Sequence, residues 1–133
     1  MRQTEKKARI VHPHAWVWEG LEQEPGFVLR SMFGAKAVYL DGKMVLCCSS
    51  GEEPWNGVLV CTGREHHAAL QAEFPALVEH PILGKWLYLS EENAQFERLA
   101  GRLARLVKGR DPRIGIVPKP KRPRKAKGSW LSG

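Results

Sequence analysis

The stretch Tyr39-Leu40-Asp41-Gly42-Lys43-Met44-Val45-Leu46-Cys47-Cys48 carries the strongest local signal in the chain. Apolar and aromatic runs flank Asp41-Gly42, and a two-residue type I′ turn needs positive φ at both of its central positions, which suits Asp-Gly. The stretch reads as a β-hairpin. Toward the amino terminus, Ala35 to Leu40 is its first arm, Gly34 permits a bend or bulge, and Phe27 to Phe33 is a strand that starts after the Pro25-Gly26 punctuation. In the other direction, Ser49 to Pro54 is a polar loop, and Gly57-Val58-Leu59-Val60-Cys61 is short and apolar enough to be a third strand of an antiparallel meander.

At Thr62 the period changes. Thr62-Gly63-Arg64-Glu65 has the spacing of a capping box, in which hydroxyl and carboxylate satisfy each other's free backbone amides, and predicts a helix from Arg64 to Phe74. Pro75 and Pro81 bracket an irregular connection, Lys85 to Leu89 reads as another strand, and Ser90 is a suitable N-cap for a final helix. From Glu91 to Lys108, Phe96, Leu99, Ala100, Leu103, Leu106 and Val107 recur at helical spacing, and Gly109 ends the run. Glu91 and Glu92 at one end and Arg105 and Lys108 at the other suit the helix dipole. A further short helix fits His14 to Glu22 around Trp16, Val17 and Leu21. The expected order is α-β-β-β-α-β(β)-α, an α+β fold of two layers with an antiparallel sheet covered by helices. Trp55, Trp86 and the pair Cys47-Cys48 make both sides of some strands apolar, and a second copy of the chain would cover the free side.

A chain of 133 residues, 43% hydrophobic and 26% charged, fits one globular domain. The expected division is a flexible arm over 1–13, a folded domain over 14–110 and a basic, proline-rich, disordered tail over 111–133. The net charge of +7 is concentrated in that tail: Lys119, Lys121, Arg122, Arg124, Lys125 and Lys127 are six cations, and without them 15 basic residues face 14 acidic ones. The prolines keep the tail extended, and its cations suit phosphate contacts made by counterion release. The charged opening Met1-Arg2-Gln3-Thr4-Glu5-Lys6-Lys7 does not resemble a signal peptide, and no run approaches the roughly 20 apolar residues of a membrane span. Three cysteines, Cys47, Cys48 and Cys61, are too few and odd in number for a disulfide framework. The expected setting is a reducing cytoplasm.

The chemistry-bearing residues do not assemble into a recognisable motif. His12, His14, His66, His67 and the cysteines contain the atoms of a zinc site, but there is no Cys-x-x-Cys and no pair of histidines four apart. Neighbours such as His66 and His67 point in different directions. No histidine is placed to activate Cys47 or Cys48, Ser31, Ser49 and Ser50 lack a nucleophile elbow, and Leu83-Gly84-Lys85 precedes a strand rather than the helix of a phosphate loop. Arg98, Arg102 and Arg105 form one ridge of the last helix, four and three residues apart. No metal, cofactor or catalytic residue is assigned.

The run Arg30-Ser31-Met32-Phe33-Gly34, followed by Tyr39, Asp41-Gly42 and Met44, resembles the opening pattern of the TfoX/Sxy amino-terminal domain family. Gly84-Lys85-Trp86-Leu87-Tyr88-Leu89 and the helix after it look like that family's closing elements, so the resemblance spans about residues 27 to 108. It implies an α+β domain related to YjbR-like folds. Some family members carry an association with competence regulation, together with a separate carboxy-terminal domain that this chain replaces with its tail. Where the family has a second glycine and a phenylalanine, Ala35 and Val45 stand here. Arg30, Met32, Phe33, Gly34, Tyr39, Asp41, Gly42 and Met44 are thus structural motif residues, with Met32 and Phe33 expected to pack under the helices. The functional expectation is a non-enzymatic regulatory or interaction domain acting on a protein partner or on itself as a homodimer. A nucleic-acid-binding protein using the tail is the alternative. A small enzyme built on Cys48 or a histidine pair is the third reading, and it predicts a concave site with a perturbed group.

Overall fold

Asp41 and Gly42 both take positive φ, 56° and 81°, and close the hairpin between β2 (Ala35–Leu40) and β3 (Lys43–Ser50). The computed structural model describes residues 12–32 and 34–118. Its elements are α1 (Ala15–Glu19), β1 (Phe27–Met32), β2, β3, β4 (Asn56–Val60), a 3₁₀ turn over Arg64–His66, α2 (His67–Glu73), β5 (Val78–Glu79), β6 (Leu87–Ser90) and α3 (Phe96–Lys108). The sheet has six strands in the order β1-β2-β3-β4-β6-β5, and every neighbouring pair is antiparallel.

Gly34 does more than bend one strand. Its φ of 81° closes a second hairpin that pairs Met32 with Ala35, so the chain from Phe27 to Leu40 folds back on itself as two strands. Val78 and Glu79 add a short edge strand inside the connection expected to be irregular. Between β2 and β3 the register slips: Val38 lies opposite Leu46 but Tyr39 lies opposite Met44, leaving Val45 as the extra residue of a β-bulge.

Two helix starts differ from expectation. The Thr62 hydroxyl donates to the Arg113 carbonyl at 2.6 Å instead of capping, and Gly63 occupies the N-cap of the 3₁₀ turn. Residues 91–95 are not helical either. Ser90 Oγ accepts the Glu92 N–H and Asn93 Oδ1 accepts the Gln95 N–H, closing local turns of the kind that compete with helix, and α3 begins at Phe96. Glu91 instead meets His14 Nε2 at 2.8 Å.

Alternation along the strands sorts the interior into two clusters. Val38, Leu46, Cys48, Val58, Val60, Leu87 and Leu89 pack with the buried helix residues Val17, Trp18, Leu70, Phe96, Leu99, Leu103 and Val107 and with Phe74 just past α2. The intervening residues Ala37, Met44, Cys47, Leu59, Cys61 and Tyr88 form a separate cluster, joined by Met32, Tyr39, Trp86 and Ile116 and, among the described residues, by no helical side chain. Met32 therefore lies on the face away from the helices, not under them as expected. Phe33, most of the amino-terminal arm and the tail cations Lys119, Lys121, Arg122, Arg124, Lys125 and Lys127 lie outside the described residues.

Residues 111–118, where the tail was expected to begin, pack on the body. Ile114 is buried in the helix-side cluster, Ile116 exchanges backbone hydrogen bonds with Met44 at 2.9 and 3.0 Å, and Gly115 donates to the Cys61 carbonyl at 2.7 Å. Arg113 ties this strap to α2 through Glu73 and holds the Asp111 carboxyl below its ordinary range by hydrogen bonding.

Candidate functional site

On the sheet face that the helices leave free, side chains from six segments enclose an apolar cleft of about 530 Å³. β1 supplies Met32, β2 Ala35, β3 Cys47 and Ser49, and β4 Leu59, while the loops before β4 and β6 supply Trp55, Leu83 and Trp86. This volume lies in the range of small-molecule pockets and of sockets for a few apolar side chains. Trp55 is 38% exposed and Leu83 36%, so the rim itself presents apolar surface; Ile82, next in sequence to Leu83, is 66% exposed. The Trp86 indole N–H is buried without an acceptor among the described residues.

His80 positions both loop walls. Its side chain is fully buried, its Nδ1 accepts the N–H groups of Ile82 and Leu83 at 3.1 and 3.0 Å, and its Nε2 donates to the Pro54 carbonyl at 3.0 Å. The ring also lies 4.4 Å from Trp55 and 5.5 Å from Tyr88, centroid to centroid. One imidazole thus fastens the 81–84 turn to the 51–55 loop. His67 supports the wall from behind, facing Glu79 at 3.1 Å and the Lys85 carbonyl at 2.9 Å.

No protein-family model, curated protein or solved structure matches the chain. The chemistry of the site must therefore speak for its function.

The three thiols differ sharply. Cys48 faces the helices, and burial pushes it up to about 12. Burial also raises Cys61 well above the ordinary thiol range, and its S–H bond to Cys47 adds to the rise. That same hydrogen bond draws Cys47 down despite burial. Cys47 lines the cleft, and its sulfur lies 3.7 Å from Met44 Sδ. A small enzyme would need a concave site with a perturbed group, and Cys47 answers that description where Cys48 does not. Nucleophilic catalysis needs a base as well. Among the described residues no histidine nitrogen hydrogen-bonds a cysteine sulfur, and no three His, Cys, Asp or Glu side chains gather around a common point.

The motif residues fall into place around the two hairpins. Arg30 lies over the Tyr39 ring at 5.5 Å, Gly34 and Asp41-Gly42 form the turns, and Met44 is buried beside Cys47. The arginine ridge of α3 is not a row of free cations, because Arg102 stacks on Phe74 at 4.5 Å and faces Glu73. Sequence reasoning missed the cleft itself, although the apolar character of β3 and β4 on both alternating sets signalled a second interior surface.

Proposed function

We propose that the chain is a non-enzymatic interaction domain of the TfoX amino-terminal type, two-layered, acting in the cytoplasm through the face its helices leave uncovered. A second copy of the chain is the partner that suits this face best. The observation that carries the reading is the cleft with its exposed Trp55 and Leu83 rim. Apolar surface joined into one concave patch and flanked by aromatic side chains is the composition of association surfaces. The type assignment rests on the motif residues Arg30, Gly34, Tyr39, Asp41 and Gly42, each of which serves a hairpin turn or a cross-strand pair. A regulatory role, of which the competence association is one form, goes with that type.

Sedimentation velocity on the full chain tests the proposal over a range of concentrations, together with Leu83→Asp, which adds a charge at a position already 36% exposed. A concentration-dependent dimer that the variant dissolves is the expected result. A chain that stays monomeric throughout would remove the second copy as partner.

The six cations after residue 117 favour a second reading, in which the tail binds nucleic acid. Fluorescence anisotropy of the full chain and a 1–118 truncation against duplex and single-stranded DNA and RNA, at two salt concentrations, separates the two. Binding that is weak, salt-steep and lost with the tail leaves the body as the interaction domain. Selective binding that survives truncation makes the body a nucleic-acid reader.

A further inference from the structure

The bulge at Val45 has a chemical result. In a regular strand, residues 44 and 47 face opposite sides, because successive side chains alternate. The extra residue between them resets that alternation, so Met44 and Cys47 both join the cluster on the free face while Val45 and Leu46 turn to the helices. Cys61, just past the end of β4, joins the same cluster from the adjacent strand. The Cys47 sulfur is then 3.7 Å from Met44 Sδ, and Cys61 lies diagonally across the ladder from Cys47, two residues past its partner Leu59. The three sulfur-bearing residues thus share one buried cluster on one face of the sheet, and only Cys47 of them lines the cleft.

Backbone on both sides fixes the group. Met44 is held by Ile116 at 2.9 and 3.0 Å; Cys61 accepts from Gly115 at 2.7 Å and donates to Val45 at 3.0 Å. Each of these hydrogen bonds ties a sulfur-bearing residue to β3 or to the strap through the backbone.

We propose that Met44, Cys47 and Cys61 form an all-sulfur, three-coordinate site for a soft monovalent ion, Cu(I), reached through the Trp55–Trp86 cleft. Thiolate and thioether are the ligands that select Cu(I). Sulfurs bound at about 2.3 Å around one ion in a triangle stand about 4 Å apart, close to the Met44–Cys47 separation. Zinc would require a fourth donor, and the described residues bring no histidine or carboxylate to the group. On binding, the two S–H bonds break, two thiolate–copper bonds and one thioether–copper bond form, and two protons leave to solvent. Copper enters and stays as Cu(I), so no electron is transferred.

The test is an anaerobic titration of the reduced full chain with Cu(I) against a chromogenic Cu(I) chelator, repeated with Cys47→Ser, Cys61→Ser, Met44→Leu and Cys48→Ser. One ion per chain is expected, with two protons released. Loss of either thiolate ligand should weaken binding by more than about 100-fold, since even partners outside the ligand set cost roughly 10–100-fold. Cys48→Ser, one residue away but on the opposite face, should bind as the parent does. X-ray absorption on the unaltered protein provides a measurement independent of any variant's folding, and should give three sulfurs and no nitrogen or oxygen. Absence of competition with the chelator, a nitrogen-containing shell, or affinity that Cys48→Ser reduces as much as Cys47→Ser would each overturn the proposal.

Discussion

Cys47 and Cys48 are neighbours in sequence whose chemistry is separated by one residue of strand alternation. The folded state keeps Cys48 protonated up to about 12, whereas its ordinary value is 9.0. Between those values the native chain binds a proton that the unfolded chain has lost. The stabilisation is therefore complete below about pH 9 and falls away as pH rises toward 12, with a slope of up to about 1.4 kcal/mol per pH unit for one such thiol. Urea unfolding at pH 7.5, 9 and 10 should show that decline, and Cys48→Ala should make it shallower, leaving the share that buried Cys61 contributes, even as it lowers stability at every pH. An unchanged slope would mean that Cys48 does not hold its proton. Reactivity should run the other way round. Iodoacetamide followed by mass mapping should label Cys47 first, because its thiol is drawn down by Cys61 and lines the cleft. Cys61→Ala should slow that labelling, and equal labelling of Cys47 and Cys48 in the folded protein would contradict the assignment. A third residue carries a mechanical role. His80→Ala leaves the N–H groups of Ile82 and Leu83 and the Pro54 carbonyl without their partner, and opens a cavity beneath Trp55. A loss of about 2–4 kcal/mol is expected in urea unfolding, and a loss below about 1 kcal/mol would show that the loops hold without it.

Among the elements, the strap over residues 111–118 is the one whose removal is most informative. It supplies buried Ile114, the backbone partners of Met44 and Cys61, and the carbonyl that takes the Thr62 hydroxyl. A chain ending at 110 should therefore unfold about 2–5 kcal/mol more easily than one ending at 118, through lost burial and orphaned backbone groups together. Equal urea midpoints would mean that the strap adds nothing. The strap also shows why parts of this fold were legible in the sequence and others were not. Asp41-Gly42 and the apolar stripe from Phe96 to Val107 are local signals, complete within a few residues, and both elements are there. The Thr62 capping box failed because its hydroxyl found an acceptor 51 residues away, which no local window contains. Glu91 was diverted by His14, 77 residues distant, and the short polar side chains of Ser90 and Asn93 favoured turns over helix. The bulge at Val45 is a choice of register between two strands, and the pattern of β3 alone would place Met44 with Leu46 and Cys48. The cleft gathers residues from Met32 to Trp86, so only its requirement for apolar residues on both strand faces could be read in advance.

At the scale of the molecule, the distribution of charge and of apolar surface predicts two separable behaviours. The six tail cations leave a body with 15 basic and 14 acidic residues, so no strong net repulsion opposes contact between two bodies. If the free face joins two copies, folding is linked to concentration, because the dimer forms from folded chains and not from unfolded ones. A tenfold rise in concentration then stabilises the dimer by about 1.4 kcal/mol, or about 0.7 kcal/mol per chain, which corresponds to roughly 3–5 °C in Tm for a body of this size. Leu83→Asp should abolish that dependence while leaving Tm at low concentration nearly unchanged, since the side chain is 36% exposed on the rim. Ending the chain at 118 should do the opposite, preserving the concentration dependence and removing whatever salt-dependent affinity for polyanions the full chain shows. Differential scanning calorimetry of the full chain and both variants over two decades of concentration reads these outcomes together. A Tm that does not move with concentration in the full chain would separate the cleft from self-association, and would leave its two tryptophans to a partner other than this chain.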